Sequence, residues 1–124
     1  MKTALIIEDN ENNMELMRFI LEAHGYRVVK AYTGRLGVEL ARSLKPDFIL
    51  LDIQLPDILG TEVLAEIRRS EAREARVPVI AVTSFAMAGD EERLLAAGCN
   101  GYVEKPIQPE RIMDQIERIL EEAK

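Results

Sequence analysis

Short apolar runs alternate with amphipathic stretches along the whole chain. Thr3–Glu8 (TALIIE) is apolar until it meets acid, as a strand buried on both faces reads. Asn13–His24 carries the helical period, and Gly25 is a natural stop. Tyr26–Ala31 (YRVVKA) predicts a second strand, and Arg35–Leu44 a helix ended by Lys45-Pro46. Asp47–Leu51 (DFILL) predicts a third strand, ending at Asp52. A helix follows from Thr61 to about Ala72, then a strand over Val77–Val82 that reaches Thr83. Met87–Ala97 predicts the fourth helix, Gly101–Glu104 a short fifth strand, and Pro109–Glu122 the last helix, with proline in its first turn.

Strands alternating with helices mean a parallel sheet covered on both faces. Right-handed crossovers place helices on each side. The expected fold class is therefore α/β: a flavodoxin-like, doubly wound (βα)5 sheet of strand order 2-1-3-4-5. No repeat, linker or low-complexity segment interrupts it, so residues 1–124 are expected to form one domain. Ligands of such sheets sit at the carboxyl ends of the strands, where strands one and three diverge.

Composition narrows the function. The chain has 124 residues and a net charge of −6, the wrong balance for gripping a nucleic-acid backbone. No apolar run approaches the roughly 18 residues of a membrane span. One cysteine, Cys99, forms no internal disulfide, and with no signal peptide visible the cytoplasm is the expected compartment.

The strand ends carry the chemistry. Strand one ends in Glu8-Asp9, strand three in Asp52, strand four in Thr83-Ser84 and strand five in Lys105-Pro106. Three carboxylates near 5 Å apart repel by roughly 3 kcal/mol per pair at an effective dielectric of about 20. One lysine offsets only part of that. Such a cluster raises a carboxylate pKa or recruits a cation. Hard oxygen donors suit Mg2+, and a divalent charge would let a phosphoryl group approach an acid that otherwise repels it.

Glu8-Asp9, Asp52, Thr83 and Lys105-Pro106 together resemble the site of bacterial response-regulator receiver domains, the phosphorylated switches of two-component and phosphorelay systems. The resemblance covers Thr3 to Leu120. The segments VTSFAMAGDEE and GCNGYVEKPI also look like the stand-alone regulators of cell-division and polarity type, and like the receivers of hybrid kinases. It implies that Asp52 accepts a phosphoryl group from the histidine of a sensor kinase or phosphotransfer protein. It implies that Asp9 and Asp52 bind Mg2+, with Glu8 acting through water and the Gln54 backbone carbonyl completing the set. Thr83 would hydrogen-bond the phosphoryl oxygen, Lys105 would pair with it, and Tyr102 would turn inward as Thr83 moves. A cis Lys105–Pro106 bond belongs to the same pattern. Beyond catalysing its own phosphorylation and dephosphorylation, such a domain is not an enzyme. Its output is binding to a downstream protein target, with no direct contact to nucleic acid or membrane. With the chain ending at Lys124, a monomeric stand-alone regulator is expected. A receiver excised from a hybrid kinase and a phosphorylation-independent interaction module are the alternatives.

Other enzyme classes lack their signatures. EDNENN after strand one has no glycine-rich turn, no Walker A pattern occurs, and Gln54 stands where an aspartyl-phosphate phosphatase wants a second acid. Some positions depart from the receiver pattern. Glu8 replaces the commoner aspartate. Leu59 precedes Gly60 where a polar residue is usual, and is expected to be exposed to a partner. Ile107 and Asn100-Gly101 weaken the case for the dimer of DNA-binding regulators. Gln54 and Phe85 flank the site and are expected to tune water access. Cys99 reads as a small buried apolar residue and His24 as a cation at a helix end. On the first helix, Met14, Leu16, Met17, Phe19, Ile20, Leu21 and Ala23 span an arc of about 220°. That is more than a covering helix needs. One edge is expected either to dock a four-helix kinase or phosphotransfer domain, or to be buried by neighbouring helices.

Overall fold

The computed structural model describes residues 1–71, 76–84 and 90–123, with the Asp90 side chain outside them. Five parallel strands, β1 (Thr3–Ile7), β2 (Arg27–Ala31), β3 (Phe48–Asp52), β4 (Val79–Thr83) and β5 (Gly101–Glu104), lie in the order β2-β1-β3-β4-β5. Five helices alternate with them: α1 (Glu11–Ala23), α2 (Gly34–Leu44), α3 (Gly60–Arg69), α4 (Asp90–Ala96) and α5 (Ile112–Glu122). This is the doubly wound α/β sheet the alternating pattern predicts.

The period of two along each strand builds two cores. Ala4 and Ile6 of β1, Phe48 and Leu50 of β3, and Ile80 and Val82 of β4 meet Met14, Met17 and Leu21 of α1 and Ile112 and Ile116 of α5. Leu5 and Ile7, Ile49 and Leu51, and Val79 and Ala81 face the other way, against Val38 of α2, Val63, Leu64 and Ile67 of α3, and Leu94 of α4. Every residue of β3 and β4 is buried, so those strands carry no polar position until their ends. Edge-on packing of Tyr26 on Phe48, with centroids 5.3 Å apart at 86°, closes the first core at its lower end. Cys99 is buried in the second core, and burial pushes its thiol up to about 11, leaving it unreactive.

Element ends differ from the sequence expectation by a few residues, for local reasons. Helix α1 begins at Glu11, two residues before the expected Asn13, because Asn10 is its cap and accepts from the Asn13 N–H at 2.9 Å. Strand β3 starts at Phe48, not Asp47. The Asp47 carboxylate instead accepts the Thr3 N–H at 2.7 Å. Strand β4 starts at Val79, since the Val77 N–H is taken by the Glu71 carboxylate at 2.7 Å. Helix α5 starts at Ile112, and Pro109 lies in the turn before it, whose bonds run back to the Gln108 carbonyl. Helix α3 ends at Arg69. The expected ends at Ala72 and Met87, and Phe85, lie outside the described residues.

Candidate functional site

Continuing the two-residue period by one step explains the site. Ala4 and Ile6 are followed on their face by Glu8, and Phe48 and Leu50 by Asp52. The β1–β3 register pairs Ile7 with Leu51, so Glu8 comes level with Asp52 just past the last apolar pair. The Glu8 N–H donates to the Ala31 carbonyl at 3.0 Å and the Ile53 N–H to the Val82 carbonyl at 3.2 Å. The backbone at both acids is therefore still held by the sheet.

Glu8, Asp9 and Asp52 each offer a carboxylate oxygen, and these atoms lie within 4.8 Å of one another. Glu8 and Asp52 are buried and Asp9 is exposed. Lys105, just after β5, reaches in from the far side. Its Nζ is 3.3 Å from Glu8 Oε1 and 3.4 Å from Asp52 Oδ1. The Gln54 N–H donates to Asp52 Oδ1 at 3.0 Å and the Asn10 N–H to Glu8 Oε2 at 3.2 Å. Thr83 is buried at the end of β4, and its carbonyl accepts the Lys105 N–H at 2.8 Å. The Lys105–Pro106 peptide is cis. Tyr102 is half-buried on β5 against the second core, and the Gln54 side chain is exposed.

The electrostatics are those of an unbalanced acid cluster. Burial above all, and then the adjacent Asp52 carboxylate, push the Glu8 carboxyl up from 4.5 to about 7, against the pull of the Asn10 N–H and of Lys105. Glu8 Oε1 is buried and has no hydrogen bond. That oxygen, held only by the 3.3 Å ion pair to Lys105, has two further hard oxygen donors beside it, and the set fits a small divalent cation such as Mg2+. Three carboxylates and one ammonium leave a formal −2, which one such ion cancels. A concavity of about 520 Å3 between α2 and α3, lined by Arg42, Lys45, Ile67 and Arg76 among others, contains none of these acids. The acids and Lys105 gather instead at the carboxyl edge of the sheet.

The family model for the response regulator receiver domain matches residues 4–117. The chain belongs to the response regulator receiver family. It is 45% identical to the polar-differentiation response regulator DivK of Brucella ovis over 122 residues, 98% of each chain. The corresponding regulator of Brucella anthropi is 44% identical over the same length. Among solved receivers, that of the sensor histidine kinase PA1611 from Pseudomonas aeruginosa is 35% identical, with a TM-score of 0.84 and coverage of 96% of this chain and 97% of that one. It is described with a magnesium ion coordinated in its active-site cleft. A CheY-like receiver from Methanospirillum hungatei is 31% identical, with a TM-score of 0.86 and coverage of 98% and 95%. This receiver thus has relatives among both stand-alone regulators and kinase-attached domains. Among its described residues, no helix is long and apolar enough to cross a membrane.

Two polar clusters beyond this site escaped the sequence reading. Arg68 of α3 donates to the Gly98 carbonyl at 2.9 and 3.2 Å, the Val77 carbonyl at 2.7 Å, Glu71 at 2.8 Å and Asn100 Oδ1 at 3.1 Å. It ties the ends of α3, β4 and α4 together. Asp57, in the loop after β3, accepts the N–H groups of Gly34 and Arg35 at 2.8 and 3.0 Å. The Arg68 partners at Gly98 and Asn100 lie about thirty residues away and those of Asp57 more than twenty, so no local spacing announces them.

Proposed function

We propose that residues 1–124 form one receiver domain that accepts a phosphoryl group on Asp52 from a histidine kinase or phosphotransfer protein, and so changes its binding to a protein target. The observation that carries this reading is the site itself: Asp52 buried, bonded by the Gln54 N–H and faced by the Lys105 ammonium, beside two further acids. Asp9, Asp52 and the Gln54 carbonyl would hold Mg2+, with Glu8 acting through water. The ion supplies charge neutralisation when bound. The chain's own groups do the rest. Asp52 Oδ presents the nucleophile, and its other contacts keep the carboxylate oriented for in-line attack. Lys105 neutralises charge gathering on the phosphoryl oxygens. Thr83 donates its hydroxyl to one of those oxygens, and Tyr102 follows the vacated space inward. Phosphorylation then biases a two-state β4–β5 face.

Partner docking is assigned to α1. Met14, Met17, Ile20 and Leu21 are buried, but Phe19 is 67% exposed on the same helix. An aromatic ring that open beside half-buried Leu16 fits the apolar face of a helical phosphodonor. Leu59, 63% exposed at the cap of α3, would extend that contact next to Asp52. The chain is taken to act as a monomer in the cytoplasm.

Beryllofluoride with Mg2+, which mimics the phosphorylated acid, tests the reading. The backbone amide resonances of Thr83, Tyr102 and Lys105 should shift together on its addition. No shift at these positions would sink the proposal.

A further inference from the structure

We infer that Asp57 is a positioning residue for the acid cluster, acting through the loop between Asp52 and Gly60. The inference rests on the receiver reading above. The loop is zipped at its base. The Gly60 N–H donates to the Ile53 carbonyl at 3.0 Å, and a Cβ on Gly60 would lie 2.5 Å from Ile53 Cα. Its first turn carries the Gln54 N–H, bonded to Asp52 Oδ1 at 3.0 Å, and the Gln54 carbonyl assigned to the metal.

The tip of the loop is fastened to a different helix. Of the N–H groups that open α2, that of Leu36 goes to Thr33 Oγ1 at 3.2 Å. Those of Gly34 and Arg35 go to the two Asp57 oxygens. A helix's first N–H groups have no partner in their own helix, and their partial positive charge favours a carboxylate. Desolvation opposes ionisation of Asp57, but these N–H bonds prevail and hold its carboxyl below the usual range. Beside it, Ile58 packs so close to Gly34 that a Cβ there would meet Ile58 Cγ1 at 2.7 Å. Asp57 is thus a cap supplied by a loop more than twenty residues away, in addition to Thr33 just before the helix. It clamps the segment that sets the Gln54 backbone, while Thr33 caps the same helix through a bond to its own Leu36 N–H.

The paired variants Asp57→Ala and Thr33→Ala separate the two roles, with Asp57→Asn keeping one acceptor. Two quantities are measured on the full chain: Mg2+ affinity by calorimetry, and hydrogen exchange at the Gln54 amide without metal. Both alanine variants lose a cap and should melt lower. Asp57→Ala should also weaken Mg2+ binding about tenfold, the usual cost of losing a group that orients a ligand, and speed Gln54 exchange by a similar factor. Asp57→Asn should fall between, and Thr33→Ala should leave both within about twofold. Unchanged Mg2+ affinity or unchanged Gln54 exchange in Asp57→Ala overturns the inference, as does an equal effect in Thr33→Ala. A wild-type chain that takes up no Mg2+ fails the receiver reading itself, before any variant is compared. Gln54 exchange still decides then whether Asp57 holds the loop.

Discussion

Metal affinity in this receiver should depend on pH through Glu8. Its carboxyl is held at about 7 by burial and by Asp52, so near pH 6 most molecules carry a proton there. Mg2+ held by the charged cluster would displace that proton. The apparent Kd should therefore be about tenfold weaker at pH 6 than at pH 8, with close to one proton released per ion at the lower pH and almost none at the higher. Calorimetry in two buffers of different ionisation enthalpy counts those protons. Glu8→Gln should abolish both the release and the pH dependence. The same shift makes a metal-free stability prediction. An acid whose folded pKa is raised leaves the native state holding more protons than the unfolded chain between 4.5 and 7. Its stability contribution is present below 4.5 and is lost as pH rises through about 7. The wild type should thus lose about 2–3 kcal/mol relative to Glu8→Gln on going from pH 5 to pH 8 in chelator. A flat Kd with no proton release, or parallel stability profiles for the two proteins, would refute the reasoning.

Other expectations follow from single contacts. Asp9→Ala should weaken Mg2+ binding and slow phosphorylation more than Glu8→Gln does, because the exposed Asp9 is assigned a direct bond and Glu8 a water; equal losses in calorimetric titrations would contradict the assignment. Phe19→Ala removes a ring that is 67% exposed. It should leave the melting temperature within a degree or two while weakening capture by a helical phosphodonor at least fivefold in surface plasmon resonance. Unchanged binding would move the docking site off α1. Arg68→Ala strips donors from the Gly98 and Val77 carbonyls and from Asn100, and should cost about 2–3 kcal/mol in urea unfolding. A loss under about 0.5 kcal/mol would mean the ties are too solvated to matter.

The sheet was legible because its signal is periodic and repeated. Five apolar runs spaced by helical stretches leave little choice of topology, and the observed order is the expected one. The convergence of Glu8, Asp9, Asp52 and Lys105 was legible for the same reason, since topology alone brings those strand ends to one edge. Element ends were less so. Asn10, Asp47 and Glu71 decide where α1, β3 and β4 begin by capturing single N–H groups, and a period carries no information about that. The apolar arc of α1 divides in the structure: Met14, Met17, Ile20 and Leu21 are buried and Leu16 half-buried, while Phe19 and Ala23 stay open. Asp57 was illegible because its partners are remote in sequence and backbone in kind, and the same holds for the Gly98 carbonyl that Arg68 reaches. A backbone N–H or carbonyl is common to nearly every residue, so nothing in the sequence marks the pairing.

Phosphoryl acceptance at Asp52 is best tested by intact mass after incubation with acetyl phosphate and Mg2+, with Asp52→Asn in parallel. The account predicts one added phosphoryl group on the wild type, none on the variant, and none on either in chelator. An adduct of equal yield on Asp52→Asn would contradict the assignment of Asp52 as the acceptor.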